Sequence, residues 1–456
     1  MVADLVGPLV PLHAFGGAKD LPIPLSLAIA GGIAALVISF CVLILAWRNP
    51  RYDDVDRGRP VWRSVALVLD SSWWQGALRL LGFAFSAYVV YAMVAGPDLV
   101  TNPVFGTFYV VLWVGLVPAS LLFGRFFRAV SPVRTLNLMF AKVTGSDPSR
   151  GLYAYPERLG CWPAAAGLFA FVWQELVNPR SAYLGASGLH PGVMTWVVAY
   201  FLIMLIGSAL YGDTWLSRAD PFEVYSDLLA KLSVWARNRS GTLVLRSPLA
   251  NLATLTPRPG LVAVVSVLFG STVFDSYKES LHWVRFVGKL DVSLQVINTL
   301  GLLGACAIVA LTFSLATMST AVDRDSEAGT HRWLLPGLFA HSVVPIVVGY
   351  MTAHYLSYFV EQGQITVQQL SDPRVDGSNL FGTADWPVNY WLSFHPSTLA
   401  TIKVLAIVAG HIVGVVAAHD RALALLPKKH QVTGQLGLLV IMVAYTGTGL
   451  YLLFGA

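Results

Sequence analysis

Three histidines, His341, His354 and His411, lie inside two apolar stretches, WLLPGLFAHSVVPIVVGYMTAHYLSYFV (333–360) and STLATIKVLAIVAGHIVGVVAAHD (397–420). A titratable ring is expensive in hydrocarbon, so each histidine marks a candidate site. His341 and His411 each stand about seven residues from the same end of their stretches, roughly 10 Å deep at about 1.5 Å per residue. Such a pair suits a divalent transition metal, Zn, Cu or Fe, or a haem iron. The plainer alternative is that each ring bonds a neighbouring hydroxyl or carbonyl and serves packing. His411 sits within a Gly410–Gly414 step, which admits a close neighbouring helix and points the ring at protein.

His354 stands near the opposite end of its stretch and shares a helix face with Tyr358 and Glu361 by i, i+4, i+7 spacing. Tyrosines at that level read first as a membrane-boundary belt. Two carboxylates, Glu175 and Asp275, end apolar stretches on the same side, and a carboxylate pair with a histidine suits divalent-metal binding or general acid–base catalysis. The alternative is that both are solvated or paired with Arg180 and Lys278. Lys403 lies some six residues inside its stretch; it could neutralise Asp275 or Glu175, bind an anionic substrate group, or snorkel to the headgroups, the last being the reading its position favours. The polar segment 360–396, with Asp372, Asp385 and His395, reads as an ordered outward lid. His13 precedes the first apolar run; removal of upstream residues would make it an amino-terminal copper chelator, against the alternative of a polar tail.

The elements that must position these groups are transmembrane helices. The chain has 456 residues, 55% hydrophobic and 12% charged, with a mean hydropathy of +0.63, far from the roughly 25% charge of soluble domains. Ten apolar runs of spanning length centre on 22–46, 76–96, 106–124, 159–177, 193–212, 261–279, 294–322, 334–359, 397–418 and 434–454. An all-α polytopic bundle of about ten spans is expected, a single integral-membrane domain over 1–456. Alternate loops hold 22 of the 30 Lys and Arg, which marks the cytoplasmic side of a plasma membrane and sends both termini outward. The net charge of +5 follows from that topology; no basic stripe suits nucleic acid, so the bilayer and other membrane subunits are the expected partners. Cys41, Cys161 and Cys306 lie in or beside apolar runs without CxxC spacing, so no disulfide framework is expected.

Residues 120–143 resemble 208–232: each ends a run with S-x-L-aromatic-G, passes Arg-Ala and Pro, and enters an amphipathic helix closing on Ala-Lys. Pro132 and Pro221 are 89 residues apart, and continuing the alignment sets Glu175 on Asp275. A parallel duplication of a span-helix-span unit, 120–177 and 208–279 (spans 3–4 and 5–6), is expected. The connecting helices, such as that carrying Phe222, Tyr225, Leu228, Leu229, Leu232 and Trp235 on one stripe, read as interfacial anchors. His419, Asp420 and Arg421, with Asp213, Arg218, Asp220 and Glu223, read as solvated ion pairs at the basic end. No P-loop, dinucleotide fingerprint, HExxH or GxSxG in context occurs.

The segments LHAFGGAKDLPIPLSL, LFGSTVFDS, HSVVPIVVGYMTAHYLS, EQGQ, QLSDP, LFGTADW and AGHIVGVVAAHDRAL are similar to those of a family of actinobacterial polytopic membrane proteins labelled fenitrothion hydrolase, after a membrane component of an organophosphate-degrading system. The similarity spans nearly the full length and is densest over 261–421. It implies phosphotriester hydrolysis within a multi-subunit membrane system, and a leader ending just before the His13-Ala14-Phe15-Gly16-Gly17 motif. Three functional classes follow. The first is a membrane hydrolase or hydrolase subunit whose outward pocket uses Glu175 and Asp275 with a metal on His354, His341 and His411. The second is a transporter or metal-handling permease with a polar pathway through spans 8 and 9. The third is a haem-bearing electron-transfer subunit.

Overall fold

In the computed structural model, which describes residues 17–52, 54, 56–188, 190–319 and 331–455, the chain is about 70% helical. His13 lies outside the described residues. Among the described residues, eight helices are long and apolar enough to cross a membrane. They include α1 (Leu25–Ala46), α2 (Ser72–Ala95), α6 (Val193–Tyr211), α8 (Leu261–Lys278) and α9 (Leu294–Met318). The other three spans, Arg332–Leu370, Pro396–Leu425 and Thr433–Phe454, contain α10 (Val344–Leu370), α11 (Pro396–Leu425) and α12 (Leu436–Phe454). Two expected spans look different. The run at 106–124 is a π-helix, Gly106–Val114, joined to α3 (Leu116–Phe123) at a 43° bend. The wide π turn and Pro118, which cannot donate to the Val114 carbonyl, account for the bend. The run at 159–177 forms α5, Trp162–Leu176, of only 15 residues. A small antiparallel sheet joins β1 (Arg59–Pro60), β2 (Trp235–Arg237) and β3 (Leu243–Leu245) in the order β1-β3-β2 at the basic end.

Two spans occupy the centre. α8 and the Arg332–Leu370 span are 72% and 78% buried over their apolar windows, against 17% for α2, so the ionisable groups of α8 and α10 are enclosed by protein. α10 packs on α8, on the π-helix and most extensively on α11. The α10–α11 approach depends on missing side chains: a Cβ on Gly410 would stand 2.6 Å from the Pro345 carbonyl, and one on Gly414 would stand 2.7 Å from that of Ser342.

The connecting helices divide. α4 (Pro132–Thr144) exposes Met139, Phe140 and Val143, as an interfacial helix does, but α7 (Pro221–Ala230) is enclosed on all sides, only Asp227 being partly exposed. The expectation that α7 lies in the membrane interface is therefore corrected. An apolar stripe looks the same whether it meets lipid or protein, and here the polar stripe also has protein partners. Glu223 accepts a fork from Arg134 (2.5 and 2.7 Å) and a bond from Arg128 (3.1 Å), and Ser226 bonds Ser120 at 2.8 Å.

Four of the charges expected to be solvated at this end are likewise buried, Asp220 and Glu223 at 0% exposure and His419 and Asp420 at 2% and 5%, whereas Asp213 stays 40% exposed and Arg218 pairs with the exposed Glu157. Asp420 takes the Trp47 indole and the Arg51 and Tyr52 amides, and His419 bridges Gln435 and the Trp47 carbonyl, so the end of α11 holds the loop after α1. Asp220 caps α7 through the Phe222 and Glu223 amides and accepts from Tyr200. Burial, then the neighbouring Glu223 charge, pushes its carboxyl from 3.8 up to about 7. The folded chain holds that proton more tightly than the unfolded one, so its stabilisation is complete below 3.8 and lost as pH rises through about 7. Asp220→Asn keeps a capping oxygen and has no charge to bury. Thermal midpoints in detergent should then fall less between pH 4 and 7 than in the parent; an equal slope would assign the fall to another group.

Candidate functional site

The groups at the non-basic end of the bundle converge on Asp275, in the last turn of α8. It follows a run of small residues, Gly270, Ser271 and Thr272, that lets α8 seat against its neighbours; a Cβ on Gly270 would stand 2.7 Å from the Cα of Cys306 on α9. Asp275 is fully buried. Its Oδ2 accepts from His354 Nε2 and from the Tyr355 hydroxyl, each at 2.9 Å, and its Oδ1 pairs with Lys278 Nζ at 3.1 Å. His354 and Tyr355, adjacent on α10 and 0% and 1% exposed, thus grip one oxygen from two directions.

The second nitrogen of His354 faces a hydroxyl chain. Ser276 Oγ lies 3.2 Å from His354 Nδ1, 3.0 Å from the Tyr350 hydroxyl and 3.3 Å from the Thr272 carbonyl. Two proton arrangements fit these positions. With a neutral ring, Nε2–H donates to Asp275, Ser276 donates to Nδ1, and Tyr350 donates to Ser276. With a protonated ring, Nδ1–H donates to Ser276, whose hydroxyl turns to the Thr272 carbonyl while Tyr350 keeps its acceptor. Both nitrogens of His354 therefore keep a hydrogen-bond partner in either ring state, the Ser276 hydroxyl rotating to suit whichever one a proton delivered from elsewhere creates. This is the chemistry the geometry permits: acid–base exchange inside the membrane domain.

The sequence-level candidates separate into those that meet here and those that do not. Asp275 and His354 meet directly. Glu175, at the end of α5, belongs to the same neighbourhood, since the Asp275 and Lys278 charges act on it. Arg180, a suggested partner of Glu175, instead pairs with Asp98 at 3.8 Å and bonds the Gly185 carbonyl. Tyr358 is buried, as are Tyr350 and Tyr355, which corrects the boundary-belt reading: a belt residue must reach the interface. Glu361 points toward the lid, accepting from Ser393 at 2.6 Å.

His341 and His411 do not form a pair. His341 Nδ1 faces the Leu338 carbonyl at 3.0 Å and its Nε2 that of Ala417 at 3.3 Å; His411 Nδ1 bonds Ile407 O one turn back at 2.9 Å. Equal depth does not make two rings face each other; helix rotation sets that, and here both nitrogens of His341 and Nδ1 of His411 face backbone, while His411 Nε2 is buried without a hydrogen-bond partner among the described residues. Both nitrogens of His354 are engaged, and among the described residues no three His, Cys, Asp or Glu side chains are grouped to hold a metal ion. Lys403 does not snorkel: it is 0% exposed, and the Asp20 charge acts on it, whereas Lys278 serves Asp275.

The segment expected to be a lid is ordered on the extension of α10. Asp372 accepts from the Asp376 and Gly377 amides and the Ser378 hydroxyl, and Asp385 accepts from Asn379 at 3.3 Å, so both carboxylates build the loop. Gln364 exchanges bonds with Asn389, and Thr383 donates to the Val367 carbonyl. His395, exposed, stacks on Trp391.

Ser276 and Tyr350 were missed by sequence reasoning and Lys278 was seen only as a competing explanation. A usable signal existed: Ser276 adjoins Asp275, and Tyr350 stands one turn before His354. Compared with known proteins, the chain matches no family model, no curated protein and no solved structure.

Proposed function

We propose that this chain is an integral-membrane transport protein whose working centre is a proton relay formed by Asp275, His354, Ser276 and Tyr350. One observation carries the reading: a histidine enclosed by spans has a charge partner on one nitrogen and a reversible hydroxyl on the other. Ionisable chains of this kind inside a membrane domain are what proton pathways require. Tyr355 and Lys278 hold the Asp275 carboxylate so that its charge answers the imidazolium when it forms.

The test is proton flux. Purified protein is reconstituted into liposomes enclosing a pH-sensitive dye, and the external pH is stepped. Flux above that of protein-free vesicles is the expected result; vesicles as tight as empty ones would overturn the relay. Turnover of a phosphotriester by the same vesicles without proton movement would favour the hydrolase class that the family resemblance implies.

The finer organisation is part of the proposal: ten spans, with the bent 106–124 run and short α5 counted, the basic end cytoplasmic, and a duplicated unit over 120–177 and 208–279. The distribution of Lys and Arg supports the orientation. For the duplication, Ser131 and Asp220 both cap a helix opening on proline, each through the amide of its third residue, Arg134 and Glu223. Those two residues are themselves 89 residues apart, as the prolines are, and they pair with each other. Contact between equivalent positions is what a two-fold relation produces at its axis.

A further inference from the structure

Glu175 stands beside the relay without belonging to its hydrogen bonds. Its side-chain stem is half-buried, yet both carboxylate oxygens are shut off from solvent and have no hydrogen-bond partner. The groups acting on it come from four elements: Asp275 and Lys278 on α8, Tyr109 on the π-helix, Tyr225 on α7, and Tyr355 and Tyr358 on α10. Four of the donors among them are committed elsewhere. Tyr109 donates to the Ser181 carbonyl at 2.8 Å, Tyr225 to that of Trp113 at 3.3 Å, Tyr355 to Asp275, and Lys278 pairs with Asp275. A bare carboxylate in such surroundings, with a second carboxylate in range, is too costly to persist. Something positive and small must complete it.

We infer that Glu175 is a binding site for a small monovalent cation, a proton or an alkali ion of the sodium class, exchanged with the Asp275–His354 relay. The inference rests on the relay reading for the exchange partner alone. The π-helix supports it independently, because a widened turn beside the carboxylate is a common device at functional sites.

The probe is a hydrophobic carbodiimide, which modifies carboxyl groups buried in membrane domains, applied to the reconstituted full chain and read by mass spectrometry of the peptide containing Glu175, with Glu175→Gln as the blank. The expected result is modification at Glu175 that an occupying cation governs. If the cation is a proton, modification declines as pH rises in sodium-free buffer; if it is sodium, added sodium protects at constant pH where choline does not. No modification above the blank, or modification indifferent to both pH and sodium, would overturn the site. The relay fails separately: His354→Gln should lose vesicle proton flux while keeping the Glu175 modification pattern, and wild-type vesicles without flux would remove the relay whatever Glu175 does.

Discussion

Asp275→Asn should abolish proton flux in vesicles and lower the thermal midpoint of the purified protein. The aspartate accepts from His354 and Tyr355 on one oxygen and answers Lys278 on the other. An asparagine keeps one acceptor and converts the other into a donor, which then faces either the ammonium or the pair of donors on α10. Breaking a buried ion pair by removing one partner typically costs about 3–5 kcal/mol. Lys278 is 20% exposed, enough to rehydrate in part, so the lower end applies. The functional loss has a different cause: without the carboxylate, a proton on His354 loses the counter-charge hydrogen-bonded to it. Flux measurements on variant that elutes as a single species in size-exclusion chromatography separate the two effects. Full flux in such a preparation would remove Asp275 from the relay.

The second large effect should come from Glu223→Ala at the basic end. Glu223 is fully buried and receives both Arg134 and Arg128; its loss leaves the 8%-exposed Arg134 with Asp213, at 3.2 Å, as its remaining ion-pair partner among the described residues. A cost of about 3–5 kcal/mol follows, read as a lowered denaturation midpoint in detergent. The double variant Arg134→Met with Glu223→Leu should be milder than Glu223→Ala alone. It removes both buried charges and fills their volume, and Arg128 and Asp213 are exposed enough to hydrate. A double variant as unstable as the sum of its parts would show that the bidentate pair, rather than relief from a stranded charge, supplies the stability here.

Particular residues show where the sequence was legible. Apolar run length picked out the eight long apolar helices of the described residues because a helix in hydrocarbon satisfies its own backbone, which makes the signal local. The cap-proline starts of α4 and α7 were visible for the same reason: Ser131 and Asp220 act on amides two or three residues away. Glu175, Asp275 and His354 could be singled out because an ionisable residue in an apolar run is anomalous by composition alone. The level of Asp275 and His354 followed from counting along each helix.

What counting could not supply was rotation about the helix axes and the identity of neighbours. His341 and His411 share a depth but face backbone carbonyls, whereas His354 meets an aspartate 79 residues away. The stripe of α7 could not reveal whether lipid or protein lay against it, nor could Lys403 reveal that it would be enclosed. By itself, then, the sequence determined that this is a helical membrane protein and which polar groups its spans must shelter. Tertiary structure decided which of those groups meet, because a side chain's partner depends on how helices distant in sequence rotate and pack, and interior packing is settled by all neighbours together.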